Sequence, residues 1–217
     1  MPRYRLIVFD LDGTLVDSRR DLADSANAVL EACGYRAHSE EAIGRMVGDG
    51  AALLVARAFA EAHADPPPDA LERFLAVYAD RLLRFTRPYA EVVAVLRQIE
   101  SQAVLAVLTN KPLAATMAIL TGLDLARFFG EAVVGGDGPF PRKPDASGLL
   151  HLMETAGATS ETTLLVGDSL NDLLTGRAAN VQVCLARYGF GFDSIAAAEL
   201  SEGDCVIDRP GDLLDLV

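Results

Sequence analysis

Short uninterrupted apolar runs alternate along this chain with longer stretches in which apolar residues recur every three or four positions. Leu6-Ile7-Val8-Phe9 contains no polar residue, as expected of a strand buried on both faces of a parallel sheet. Runs of the same kind occupy Val104 to Leu108, Ala132 to Val134, Thr163 to Val166, Val181 to Leu185 and, more weakly, Cys205 to Ile207. Between them the spacing predicts helices. Pro88 to Gln102 carries Val92, Val93, Val95, Leu96 and Ile99 behind a leading proline, and Leu113 to Gly122 and Leu149 to Gly157 both stop at a glycine suited to a helix end. Strands alternating with helices predict an α/β fold with a doubly wound, Rossmann-like parallel sheet.

One interval breaks the alternation. From about Asp17 to Arg87 no strand-like run occurs; the pattern is helical over Asp21 to Cys33, Ala51 to His63 and Ala70 to Leu83, punctuated by Gly48-Asp49-Gly50 and Pro66-Pro67-Pro68. The predicted organisation is therefore an α/β core of residues 1–16 and 88–217, with a helical insertion over 17–87. An insertion placed directly after the first strand sits over that strand's C-terminal end, where open α/β sheets bind ligands.

The bulk numbers narrow the partners. With 217 residues, 51% hydrophobic and 23% charged, the chain can bury a full core. No run approaches the roughly 18 to 20 apolar residues of a membrane span, and no signal-peptide pattern opens the chain, so a cytoplasmic protein is expected. A net charge of −12 repels nucleic acid and anionic membranes, leaving a small metabolite as the expected partner of a monomer or homodimer. Cys33, Cys184 and Cys205 form no Cys-x-x-Cys pair and read as small buried apolar residues. His38, His63 and His151 lack the i, i+4 spacing of a helical metal pair and read as surface or half-buried residues.

Two acidic clusters carry the chemistry. Asp10-Leu11-Asp12 closes the first strand, and residues two apart in extended chain point to one side, so both carboxylates can face one ligand. Gly13 and Thr14 follow as a turn able to present N–H groups and a hydroxyl to an anion. Gly167-Asp168-Ser169-Leu170-Asn171-Asp172 follows another strand in the same way. If both strands are central and parallel, Asp10, Asp12, Asp168 and Asp172 converge at one sheet edge, where a cation must relieve their repulsion. Oxygen-only ligands select a hard ion, and with a phosphate to share Mg²⁺ fits better than Ca²⁺.

Of 19 basic residues, 17 are arginine and only Lys111 and Lys143 are lysine. A chain that uses arginine for generic positive charge keeps lysine where a compact ammonium on a flexible stem is needed. Lys111 follows Thr109-Asn110 at the end of the second core strand, and Lys143 precedes Pro144 in a loop rich in glycine and proline. A chance surface lysine is the alternative for each, and the stronger one for Lys111.

Taken in order, Phe9 to Ser18 (FDLDGTLVDS), Leu108 to Pro112 (LTNKP), Lys143-Pro144 and Val166 to Asp172 (VGDSLND) resemble the four motifs of the haloacid-dehalogenase superfamily. The helical insertion resembles that family's type 1 cap. Val47 to Ala51 (VGDGA) and Arg187 to Gly191 (RYGFG) are similar to phosphoglycolate phosphatases in particular. The resemblance implies a Mg²⁺-dependent phosphatase in which Asp10 attacks phosphorus and Asp12 acts as general acid and then base. It further implies metal ligation by the carboxylates of Asp10 and Asp168 and the backbone carbonyl of Asp12, with Asp172 behind them. Phosphate oxygens would go to Lys143, Thr109, the Asn110 amide and the Gly13 turn. Dehalogenases of the superfamily lack an aspartate at the position of Asp12, because a halide leaves without a proton. Two departures from the family stand out: Lys143-Pro144-Asp145-Ala146-Ser147-Gly148, where relatives commonly continue with a second proline and polar residues, preceded by the unusual Gly138-Pro139-Phe140-Pro141; and Asn180, where many relatives have glycine.

Specificity is expected in the insertion. Gly48-Asp49-Gly50 opens a helix near Ala51 whose free N–H groups suit a substrate carboxylate such as that of 2-phosphoglycolate; the alternative is an ordinary turn with Asp49 as helix cap. Arg45 and Arg57 flank it as candidate helpers, or as solvated surface. Two other functions stay open: a phosphosugar phosphatase or mutase on the same scaffold, and a non-catalytic phosphate-sensing or protein-binding relative, against which the full catalytic set argues.

Overall fold

The computed structural model describes residues 3–201 and 204–217. Six parallel strands form the central sheet: β1 (Leu6–Phe9), β4 (Val104–Leu108), β5 (Val133–Val134), β6 (Thr163–Gly167), β7 (Gln182–Ala186) and β8 (Cys205–Ile207). Their order is β5-β4-β1-β6-β7-β8. The chain winds outward from β1 through β4 to β5, returns to the other side of β1 at β6, and winds outward again, so the order reverses between β1 and β6. That reversal opens the crevice at the strands' C-terminal ends. Phe9 pairs with Val107 on one side and Val166 on the other, which fixes where both strands end.

Every side chain of β1 is buried because both faces of the sheet are covered. Ile7, Phe9, Leu105, Val107, Leu164 and Val166 pack against α5 (Val92–Ile99) and α6 (Leu113–Gly122). Leu6, Val8, Ala106, Leu108 and Leu165 pack against α7 (Ser147–Ala156). Gly157 ends α7 in the left-handed conformation, and Asn180 takes the same conformation after α8 (Leu170–Ala178), a role asparagine tolerates.

Residues between β1 and α5 build a second apolar cluster. It draws Leu22, Ala26 and Leu30 of α1 (Arg19–Ala32), Ile43 of α2 (Glu40–Gly44), Leu54, Val55 and Phe59 of α3 (Ala51–Glu61), and Phe74 and Tyr78 of α4 (Ala70–Ala79). The expectation of no strand here is corrected at its ends: β2 (Val16–Asp17) pairs antiparallel with β3 (Arg87–Pro88), a ladder of two residues each and too short to leave an apolar run. Asp21, fully buried in α1, fastens the returning chain. Its Oδ2 accepts hydrogen bonds from the N–H groups of Phe85 and Thr86, at 2.9 and 2.7 Å, and from Thr86 Oγ1 at 2.8 Å.

All three cysteines are free, but only Cys184 is buried; Cys33 and Cys205 are half-buried, against the expectation, because they sit near element ends. His38 is half-buried and His63 and His151 are exposed. Among the described residues no helix is long and apolar enough to cross a membrane.

Replacing Asp21 with alanine leaves two backbone donors and a hydroxyl without their acceptor, and is expected to destabilise the fold by about 3 kcal/mol. Asp21→Asn, which keeps an acceptor oxygen, is expected to cost about half as much. Chemical denaturation measures both; losses below about 1 kcal/mol in each variant would mean that this fastening contributes little.

Candidate active site

Both acidic turns leave the sheet at the same edge. Asp10 continues β1, its N–H bonded to Val166 O at 2.9 Å, and Asp168 follows β6 directly. Asp172 projects from the first turn of α8. The carboxylates of Asp10, Asp168 and Asp172 are buried and can bring one oxygen each within 4.8 Å of one another. Asp12 joins the same cavity but not this cluster: its Oδ1 accepts from Ser18 Oγ at 2.6 Å and its Oδ2 from Lys111 Nζ at 2.7 Å.

Close packing holds Asp168 in place. Gly13, at φ +89°, runs so near that a Cβ there would stand 1.9 Å from Asp168 Oδ2, so the turn after β1 admits only glycine. On the far side Gly191 N donates to Asp168 Oδ2 at 2.7 Å, and Tyr188 Oη donates to Thr14 O at 3.0 Å, tying the 187–191 loop to the first turn.

Lys143 supplies the balancing charge. Its Nζ lies 3.0 Å from Asp10 Oδ1 and 2.6 Å from Asp172 Oδ1. Asp172 Oδ2 in turn accepts from Ser169 N and Oγ, so both of its oxygens are engaged by protein groups. Burial works against the Lys143 charge, yet Asp10 and Asp172 outweigh it and hold the ammonium above its ordinary pKa. One ammonium among three buried carboxylates leaves an excess of negative charge. Burial pushes the Asp10 carboxyl up to about 6 against the pull of Lys143, with Asp172 and Asp12 adding to the rise. Burial, aided by Asp10 and Asp172, raises the Asp168 carboxyl well above its ordinary value. Oxygen donors of this kind, with a charge deficit to fill, fit a hard divalent cation.

The turn after β4 arranges the other side. Thr109 is buried, its N–H bonded to Val134 O at 3.0 Å and its Oγ1 accepting from Lys111 N at 3.3 Å. Asn110 clasps Lys143: Oδ1 accepts from Lys143 N at 2.8 Å, and Nδ2 donates to Lys143 O at 2.9 Å and to Gly48 O at 2.8 Å. The amide nitrogen expected to meet phosphate is thus directed at two carbonyls. Lys111 is 7% exposed, which removes the surface alternative; burial disfavours its charge, but Asp12 beside it more than compensates and raises its pKa.

Gly48-Asp49-Gly50 docks onto the core. Asn171 Nδ2 donates to Gly48 O at 3.3 Å and to Asp49 Oδ1 at 2.8 Å, and Arg57 pairs with Asp49 at 2.6 Å. Asp49 is therefore not the helix cap that one alternative made it; Gly50 occupies that position at φ +91° with no side-chain bond to the helix start. Gly48, Gly50 and Ala51 line the cavity, whereas Arg45 is exposed and Arg57 is spent on Asp49 and Met46 O, so neither arginine reaches it.

The cavity between these elements measures about 320 Å³. Asp10, Asp12, Asp168, Thr109, Asn110 and Lys111 contribute its polar wall, and Leu22, Leu54, Phe74, Leu82 and Phe190 are among its apolar ones. Sequence reasoning did not find Ser18, Asn171 or Tyr78. Asn171 stood within an acidic motif already singled out, whereas nothing in the pattern marked Tyr78, which reads as one more apolar position of α4. Burial, opposed by Lys111, pushes the Tyr78 hydroxyl up to about 12, so it stays protonated near neutral pH.

A phosphoglycolate phosphatase of Rhodospirillum rubrum is 40% identical over 202 residues, covering 89% of this chain and 83% of the relative. One from Agrobacterium fabrum is 37% identical over 215 residues, covering 95% and 89%. The crystal structure of a predicted phosphoglycolate phosphatase from Haemophilus somnus 129pt matches with a TM-score of 0.91 at 31% identity, over 100% of this chain and 99% of that one. The family model for haloacid dehalogenase-like hydrolases matches residues 7–186, and the chain belongs to that family.

Proposed function

We propose that this protein is a Mg²⁺-dependent phosphatase that hydrolyses a small phosphate monoester through an aspartyl-phosphate on Asp10, with 2-phosphoglycolate as its substrate. One observation carries the reading: two carboxylates a residue apart face one cavity in different company, Asp10 beside Lys143 in the acidic cluster and Asp12 outside it, held by Ser18 and Lys111. A nucleophile and a proton carrier for one displacement need this division of labour. The substrate rests on the names of the relatives, which are phosphoglycolate phosphatases.

In this reading an Asp10 oxygen bonds to phosphorus as the ester oxygen leaves, and Asp12 gives that oxygen its proton. Asp12 then takes a proton from the water that attacks the aspartyl-phosphate, and the Asp10 carboxylate and inorganic phosphate are released. Lys143 receives a phosphoryl oxygen beside the nucleophile, because its Nζ already lies 3.0 Å from Asp10 Oδ1. Thr109 takes another, since phosphoryl transfer is catalysed mainly by positioning and charge neutralisation. The expected phosphate-binding turn at Gly13 is corrected, because its N–H donates to Val16 O at 2.9 Å and that of Thr14 to Leu11 O at 3.3 Å. Asn110 acts through Lys143, whose backbone it holds. The carboxylates of Asp10 and Asp168 and the carbonyl of Asp12 would hold Mg²⁺, which when bound neutralises charge on the phosphoryl oxygens. Asp172 orients Lys143. Residues 17–87 serve as the cap over this site, seated through Gly48 on Asn110 and Asn171.

Asp10→Asn is expected to lower kcat by about 10⁴-fold or more at unchanged melting temperature. Asp12→Asn should lower it by about 10²- to 10⁴-fold. Phosphate release from p-nitrophenyl phosphate measures both, and turnover by Asp10→Asn near the wild-type level would exclude the proposed nucleophile. Chelation with EDTA should abolish this activity, added Mg²⁺ should restore it and added Ca²⁺ should not, while calorimetric Mg²⁺ binding should be lost in Asp168→Asn. Full activity after exhaustive chelation would overturn the metal assignment.

A further inference from the structure

Lys111 holds Asp12 in the reaction just described, and Tyr78 beside it has no part in that reaction. Among the described residues that line the cavity, Lys111 is the only cation: Arg45 is exposed, Arg57 is spent on Asp49 and Met46 O, and Arg142, which runs beside Gly50, gives its Nε to Gly136 O. A leaving group that carries its own negative charge therefore meets one ammonium on the wall beyond Asp12. Lys111 Nζ gives one hydrogen bond, to Asp12 Oδ2 at 2.7 Å, and an ammonium has three N–H groups to give. Beside it stands Tyr78, brought by α4 from the opposite side of the cavity, with Lys111 Nζ 4.8 Å from the centre of its ring. The Tyr78 hydroxyl is buried and has no hydrogen-bond partner among the described residues. A buried hydroxyl without a partner costs free energy. An acceptor that arrived with the substrate would recover it.

We infer that Lys111 and Tyr78 together form the subsite that recognises the leaving group, selecting phosphate monoesters whose alcohol carries a carboxylate next to the ester carbon. The carboxylate takes an N–H from Lys111 and the O–H from Tyr78, and Lys111 bridges it to Asp12. One partner comes from the core and one from the helical insertion, so the substrate's charge is read across the join between them. The apolar remainder of the cavity, with Leu54, Phe74 and Leu82, offers such an anion no other charged group. This assignment rests on the phosphatase reading above and names the residues that give it a substrate preference.

The test compares 2-phosphoglycolate with ethyl phosphate, in which a methyl group replaces the carboxylate. The wild-type protein should prefer 2-phosphoglycolate by about a hundredfold or more in kcat/KM. Tyr78→Phe and Lys111→Met should each lower that ratio by roughly tenfold to a hundredfold. Tyr78→Phe should melt at or above the wild-type temperature, because the hydroxyl has no partner to lose, and a merely structural role would not move the substrate ratio. A ratio unchanged in both variants, with the wild type active on either ester, would overturn the subsite and leave the phosphatase reading intact. A wild-type protein that hydrolyses neither ester nor p-nitrophenyl phosphate at any Mg²⁺ concentration would instead overturn the phosphatase reading and the subsite with it.

Discussion

Three buried carboxylates held against a single buried ammonium set the terms for the rest of the molecule. Asp10, Asp168 and Asp172 cannot all be charged at close range without help, and Lys143 supplies only part of it. The fold tolerates the arrangement because strong elements fix it. β1 and β6 are paired residue for residue up to the point where the aspartates begin, and both are buried among large aliphatic side chains. The cost of crowding like charges falls on a part of the structure that cannot relax away from it. The like charge crowded there is of the kind that a hard divalent cation would offset.

The surrounding loops serve that constraint. Gly13, Gly189 and Gly191 each approach Asp168 more closely than a side chain would permit, so the turn after β1 and the 187–191 loop can converge on one carboxylate. Gly167 does the same for Asp172, where a Cβ would stand 2.1 Å from its carboxyl carbon. These glycines are needed less for flexible backbone than for the space a Cβ would take from the aspartates.

Much of the fold was legible because its strands are written locally. Three to five consecutive residues, nearly all apolar, can be recognised as a strand without knowing what covers them, and all six sheet strands were found within a residue or two of their ends. The short elements were not. β2 and β3 take their pairing from each other across some 70 residues of chain, and α2 has five residues. Helix α8 begins inside an acidic motif whose residues face the site, so its spacing carried little amphipathic signal. The site divides the same way. Asp10, Asp12 and Asp168 follow recognisable strands, and Lys143 stood out by composition. The surroundings of Lys111 depend on Asp12, 99 positions away, and those of Asp49 on Asn171, 122 positions away, contacts that no local pattern encodes.

The side-chain amide of Asn110 has a consequence of its own. One NH₂ group serves the carbonyl of Gly48 in the insertion and the carbonyl of Lys143 in the core. Seating the one steadies the other, so the segment that carries Gly48 and the loop that carries Lys143 are held by the same group. Two segments more than 90 residues apart in the chain thereby share one planar nitrogen, and neither can shift without loosening the hold on the other.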